Sequence, residues 1–269
     1  MKYKSLLIAA AFPIGLTAAT INWDGASNSG DGSTWDTTFA NWDTATSNPW
    51  TSTAHFAVLD SNNVTLGADV RMTGFSGSGA ISADTGLSLR FGGAGVTSVF
   101  SGTLGTNIRL VWDGSSVLDF SGTNDSTNQA VLRNNGTLRL SSADAWQDGN
   151  KAKIEAGSGQ FTIELAAADE DFDSNLYLVT SSGTVRFAAV GAERNMTYDS
   201  GSGNFIWGGV GVLGLGNANS THTLNWTNDI DLNGANRTVD VLNGSAAIGG
   251  YLFRHCTLRG GRCGEEYDV

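Results

Sequence analysis

The chain has 269 residues, of which 36 are Gly and 2 are Pro; 40% are hydrophobic and only 15% are charged. Glycine without a three-residue period and the near absence of proline exclude a collagen helix, and 8 Trp with 12 Phe exclude a disordered polyelectrolyte. A net charge of −11 argues against a basic surface for nucleic acid or for anionic lipid.

Residues 1–19 read as a secretory signal peptide. Lys2 and Lys4 precede an apolar stretch from Ser5 to Leu16, and Thr17-Ala18-Ala19 offers the small residues that a signal peptidase cuts after. An apolar run of about twelve residues is too short to span a bilayer, and no second run of about 18 follows. The expected product is exported and carries no transmembrane span. Without Lys2 and Lys4 the mature chain has 13 basic and 26 acidic residues, a charge of −13.

Residues 20–60 form a Trp-rich segment holding Trp23, Trp35, Trp42 and Trp50. Aromatic faces flanked by Asp and Asn suit saccharide rings, which makes these four residues a candidate carbohydrate-binding platform. The alternative is that they plug the open end of a stacked core, whose first layer would otherwise face water.

Residues 61–250 read as a succession of short strands. Leu87–Phe91, Ile108–Trp112, Val117–Phe120, Thr137–Leu140, Phe161–Leu165, Val185–Phe187, Asn204–Trp207, Thr223–Trp226 and Thr238–Leu242 each alternate apolar and polar residues. A period of two marks strands buried on one face. Turn formers such as Gly92-Gly93, Asn134-Asn135-Gly136 and Asn233-Gly234 separate them. The nearest thing to a helix, Ala166 to Asn175, contains Asp171-Phe172-Asp173-Ser174-Asn175 and is poor helix material. The class is all-β.

A degenerate unit returns along this body: Gly, a small polar residue, then apolar-Arg-apolar, at Gly86–Phe91, Gly105–Leu110, Gly136–Leu140 and Gly183–Phe187. Three such strands with their turns take about 21–24 residues, one coil of a parallel β-helix. The 188 residues from Asn63 to Gly250 then make roughly eight coils, stacked about 4.8 Å apart. A β-sandwich is the alternative, because strands at this spacing also suit two packed sheets.

The order Asn22-Trp23-Asp24-Gly25, Gly32-Ser33-Thr34-Trp35, Ala40-Asn41-Trp42 and Ala54-His55-Phe56 resembles the mature start of autotransporter-associated β-strand repeat proteins. The Gly-Thr-Leu-Arg-Leu string at 136–140 and Asn-Gly-Ser-Ala-Ala-Ile-Gly-Gly at 243–250 are similar to their strands. The resemblance implies an exported bacterial protein with a passenger-like β-helical body and implies no catalytic residues. Such proteins commonly continue through many more repeats to an anchoring or sorting C-terminus.

Residues 251–269 depart from this pattern. They hold three of the eleven Arg and both cysteines, Cys256 and Cys263, and read as a truncated or frame-shifted end. In an exported chain the two cysteines could close a small disulfide loop. His255 lies beside them, but no second ligand pair follows at zinc-finger spacing.

Residue type points to two further chemistries. Asp169, Asp171 and Asp173 have the D-x-D-x-D spacing that can wrap Ca²⁺. Ser174 stands where such a loop needs Gly, and Thr180 where it needs a bidentate Glu, so a solvated acidic loop is the other reading. A polysaccharide lyase or hydrolase is the catalytic alternative, but His55, His222 and His255 are scattered and stand in no nucleophile motif. The sequence therefore predicts a non-catalytic structural or adhesive surface protein without a resident cofactor, with glycans or cell-surface components as partners.

Overall fold

A computed structural model describes residues 19–25, 30–36, 41–42, 55–146, 152–173, 176–178, 183–199, 204–206, 211–218, 222–231, 237–242, 246–249, 252–253 and 256–259. Every pairing between its strands is parallel, and no α-helix occurs among the described residues. The fold is a parallel β-solenoid, as the strand spacing predicts.

One sheet runs the whole length. Its eleven strands are Ala19–Asn22, His55–Val58, Gly74–Gly77, Thr97–Phe100, Val117–Phe120, Thr137–Leu140, Gln160–Leu165, Thr184–Ala189, Val212–Leu215, Arg237–Val241 and Cys256–Arg259. Eight of these lie between Asn63 and Gly250, which makes about seven turns from the first of them to the last. A second face is built from Thr34–Trp35, Val64–Leu66, Ile81–Ala83, Thr103–Leu104 and Thr123–Asn124. The third face is a six-stranded sheet of Val70–Met72, Leu87–Phe91, Ile108–Trp112, Ala130–Arg133, Ala152–Glu155 and Leu176–Leu178. Further along, Glu170–Asp173, Arg194–Asp199, Leu224–Trp226 and Ala246–Ile248 form a separate sheet, and Asn204–Ile206, Asp229–Asp231 and Leu252–Phe253 another. The long sheet is continuous while the other faces are interrupted.

Alternation within each strand decides what points inward. Val117–Phe120 buries Leu118 and Phe120, and Thr137–Leu140 buries Leu138 and Leu140. Parallel pairing then stacks like on like, so Leu118, Leu138, Ile163, Phe187, Leu215 and Val241 form one column. Each fully buried Leu, Ile or Phe side chain contributes about 1.5–3 kcal/mol through the water it sheds. Phenylalanines and tryptophans are threaded through the interior: Phe75 meets Phe100 at 5.3 Å, Phe91 meets Trp112 at 4.6 Å, and Phe187 meets Trp226 at 5.8 Å.

Coil length varies along the chain without a steady trend, and the last pairing, Arg237 with Cys256, spans only 19 residues. Val117 pairs with Thr97 and Thr137, 20 residues away on either side, whereas Thr184 pairs with Val212, 28 residues away. In the narrow coils the corner after each long-sheet strand is tight. A Cβ on Gly102 would lie 1.8 Å from the Gly79 carbonyl oxygen, and one on Gly122 would lie 1.8 Å from that of Gly102. The Phe-Ser-Gly strings at 100–102 and 120–122 thus mark a glycine column in which successive backbones touch.

Two segments differ from their sequence appearance. The acidic stretch at 169–173 contains a strand, Glu170–Asp173, paired in register with Met196–Asp199. The tail is not wholly outside the fold: Leu252–Phe253 pairs with Ile230–Asp231, and Cys256–Arg259 pairs with Arg237–Asp240 as the last strand of the long sheet.

Candidate functional site

The Trp-rich segment contributes the first rung. Trp23, Trp35 and Trp42 are 5%, 0% and 1% exposed, so none presents a ring face to solvent. Trp42 stands between the other two, edge-on at 5.1 Å to Trp23 and 5.0 Å to Trp35. A short antiparallel bridge joins Trp23 to Trp42, and the Trp23 amide donates to the Val58 carbonyl at 2.7 Å. These three rings cover the end of the core, a geometry that leaves no open platform for a sugar. Trp50 lies outside the described residues.

A polar knot holds that rung in place. Asn41 is fully buried; its Nδ2 donates to Asp31 Oδ1 at 2.8 Å and to the Thr34 carbonyl at 2.7 Å, and its Oδ1 accepts from the Gly32 amide at 2.9 Å. Asp31 also accepts the amides of Ser33 and Thr34 and the Thr34 hydroxyl. Burial pushes its carboxyl up, but the Thr34 hydroxyl, these two amides and Asn41 outweigh it and hold Asp31 well below the usual carboxylate range.

The proposed calcium ligands fall on one corner and strand. Asp169 uses both oxygens on Asn195, accepting its backbone amide and its Nδ2 at 2.8 Å each, and Asn225 Nδ2 donates in turn to Asn195 Oδ1 at 3.0 Å. Asp169, Asn195 and Asn225 therefore form a ladder, one residue per coil, and the Asn195 amide and side chain lower the Asp169 pKa. Asp171 and Asp173 stand at register positions opposite Thr197 and Asp199. Among the described residues no group of three His, Cys, Asp or Glu side chains converges on a metal position. Cys256 occupies the last long-sheet strand opposite Arg237, and Cys263 lies outside the described residues.

Sequence reasoning missed a buried polar cluster on the outer side of the long sheet. Arg186, on Thr184–Ala189, stands in an apolar-Arg-apolar string whose period of two alone would face it to solvent; its side chain is instead 4% exposed. Its Nη2 pairs with Asp240 Oδ2 at 2.6 Å, its Nη1 donates to the Leu215 and Gly216 carbonyls at 3.2 Å each, and its Nε donates to Gln160 Oε1 at 3.2 Å. Beside it, Glu164 accepts from Arg139 Nε at 2.8 Å and from Asn217 Nδ2 at 2.7 Å, while Arg139 also reaches Asp119 at 3.7 Å. The extra residues of the wide coil after Leu215 supply Asn217 and the carbonyl acceptors. Gly214, a break in the alternation of Val212-Leu-Gly-Leu215, was the one local signal that a large side chain crosses there.

Glu170 was also missed. It is 6% exposed and points inward with Phe172, and its Oε1 has no hydrogen-bond partner. Burial alone pushes its carboxyl up to about 8.

No family model matches the chain, and no curated protein or solved structure matches it.

Proposed function

We propose that this chain is an exported, non-catalytic β-solenoid with a structural or adhesive role at the cell surface, of the autotransporter-associated repeat kind that its N-terminal segment resembles. The observation that supports this reading is where the outer charges are used. Arg139 ties to Asp119 and Glu164, Arg186 to Asp240, and Arg133 to Asp113 and Glu155. Each tie runs from coil to coil, in the direction of the backbone ladder, which stiffens a rod along its axis. Export rests on the Lys2–Ala19 pattern. A cut after Ala19 leaves Thr20, Ile21 and Asn22 free to pair with Phe56, Ala57 and Val58 in the first strand.

Two measurements test the reading. N-terminal sequencing of protein recovered outside the cytoplasm should begin at or near Thr20; retention inside with Met1 intact overturns export. The mature chain should be retained on cell-wall, glycan or whole-cell preparations, and no retention on any of them removes the adhesive half. Turnover of an acidic or neutral polysaccharide would overturn the non-catalytic half. Trp35→Ala with Trp42→Ala separates the reading from a Trp-based carbohydrate module: the burial of both rings predicts a lowered melting temperature, whereas lost glycan binding with an unchanged melt would favour the module.

A further inference from the structure

The triplet Asn-x-Ser/Thr, with x not Pro, is what an oligosaccharyl transferase reads as an acceptor of sugar on the Asn amide nitrogen. Five such triplets lie within the described residues: Asn63-Val64-Thr65, Asn124-Asp125-Ser126, Asn135-Gly136-Thr137, Asn195-Met196-Thr197 and Asn225-Trp226-Thr227. Strand alternation by itself produces such triplets, because two outward polar residues flank one buried residue. The triplet alone therefore selects nothing, and the setting of each amide decides which can react.

Three of the five amides are sealed or engaged. Asn124 and Ser126 are 4% and 5% exposed. Asn195 Nδ2 donates to Asp169 Oδ2 at 2.8 Å, and Asn225 Nδ2 donates to Glu193 Oε1 at 2.7 Å and to Asn195 Oδ1 at 3.0 Å. Both residues sit inside strands, Arg194–Asp199 and Leu224–Trp226. Asn63 and Asn135 depart from these three in the same way. Each is exposed, at a corner just before a strand, Val64–Leu66 and Thr137–Leu140. Each spends its amide oxygen on a backbone N–H one coil further on: Asn63 Oδ1 accepts from Ala80 at 2.7 Å, and Asn135 Oδ1 from Gln160 at 2.9 Å. Gly159 makes room for the second contact, since a Cβ there would stand 2.0 Å from Asn135 Oδ1. With the oxygen held against the coil, the nitrogen is turned outward, and neither Nδ2 has a hydrogen-bond partner among the described residues.

We infer that Asn63 and Asn135 are N-glycosylation acceptors, each taking an oligosaccharide from a lipid pyrophosphate donor after the chain has crossed the export membrane. This rests on the export reading. In the transfer, Nδ2 forms a bond to the anomeric carbon of the first sugar. The bond from that carbon to the pyrophosphate oxygen breaks, the lipid pyrophosphate leaves with the electron pair, and one amide proton passes to a carboxylate of the transferase. The second amide proton stays on Nδ2 and Oδ1 is not consumed, so the contacts with Ala80 and Gln160 survive modification. At Asn225 both amide protons are already donated, and at Asn124 a sugar has no room unless the coil opens. A corner can also be drawn into an enzyme's groove without unpairing a sheet, which Asn195 and Asn225 cannot.

The test is peptide mapping by mass spectrometry of the full chain recovered outside the cells that make it, with N-terminal sequencing of the same sample. The expected result is a chain beginning near Thr20 that carries sugar on Asn63 and Asn135 and none on Asn124, Asn195 or Asn225. Thr65→Ala should abolish the sugar on Asn63 and leave Asn135 occupied, and Thr65→Ser should keep both. Should Thr65→Ala fail to fold, Thr137→Ala puts the same question to Asn135. An exported chain with bare Asn63 and Asn135, sugar on Asn63 that survives Thr65→Ala, or equal occupancy of Asn124 overturns the inference and leaves export standing. A chain retained inside with Met1 intact overturns export, and the inference with it.

Discussion

The guanidinium of Arg186 lies across Gly214, so that a Cβ at 214 would stand 2.8 Å from Arg186 Cζ and 3.0 Å from its Nε. The two residues are register partners on neighbouring strands, and the missing side chain on one is the space through which the other reaches Asp240, one coil further on. Four acceptors meet a guanidinium that solvent hardly touches.

Removing one member of such a buried pair leaves an uncompensated charge and costs about 3–5 kcal/mol. Arg186→Ala should therefore lower unfolding free energy by about that amount. Gly214→Ala should cost about 2–3 kcal/mol in the wild-type background, by displacing the guanidinium, and little in the Arg186→Ala background. A double-mutant cycle by chemical denaturation should return a coupling of about 1–3 kcal/mol. Additive effects would mean that Arg186 does not cross Gly214.

Glu170 makes stability depend on pH in an unusual direction. With a folded-state pKa near 8 against an unfolded value of 4.5, the folded chain holds a proton that the unfolded chain has released between those limits. Stability from this group is thus greatest below pH 4.5 and is lost as pH rises toward 8. Glu170→Gln should match wild type near pH 4 and exceed it by a few kcal/mol above pH 8. Denaturation midpoints across that range check it, and parallel curves for the two proteins would refute it.

The glycine column predicts a contrast between two substitutions. At Gly102 an added Cβ would collide with the Gly79 backbone, so Gly102→Ala must push two coils apart and should cost about 2–4 kcal/mol. Gly95 has φ +68 and nothing within 4 Å of an added Cβ, so Gly95→Ala meets only backbone strain of about 1–2 kcal/mol. Thermal melts of the pair measure the difference.

Asp169 is engaged with Asn195, and this separates a ladder from a cation site. Asp169→Ala should lower the melting temperature by the same few degrees in calcium and in chelator, the cost of an exposed inter-coil hydrogen bond of about 1 kcal/mol. A wild-type melt that rises with calcium and a variant melt that does not would restore the calcium loop.

Much of the fold was legible because strand alternation is a local property. Val117–Phe120, Thr137–Leu140, Leu87–Phe91 and Ile108–Trp112 have the bounds that period two predicts. The two-residue strands Thr103–Leu104 and Thr123–Asn124 were not legible, since two residues carry no period. Among candidate site residues, the tryptophans were found by clustering, but clustering does not distinguish an exposed platform from a closed end. Glu170 was hidden inside an acidic run that reads as solvated.

The sequence by itself determined the class of structure. Alternating short strands, abundant glycine corners and scarce proline leave a β fold with an apolar inside, because each of those signals acts within a few residues. What only the tertiary structure decided is which coil lies over which. The same Gly-polar-apolar-Arg-apolar unit places Arg90 and Arg109 on the third face and Arg139 and Arg186 on the long sheet. Arg186 is buried where Arg109 is exposed because a later coil brings the Gly216 carbonyl onto its guanidinium and Asn217 onto the neighbouring Glu164, contacts between residues 30 and 53 positions apart that no local pattern encodes.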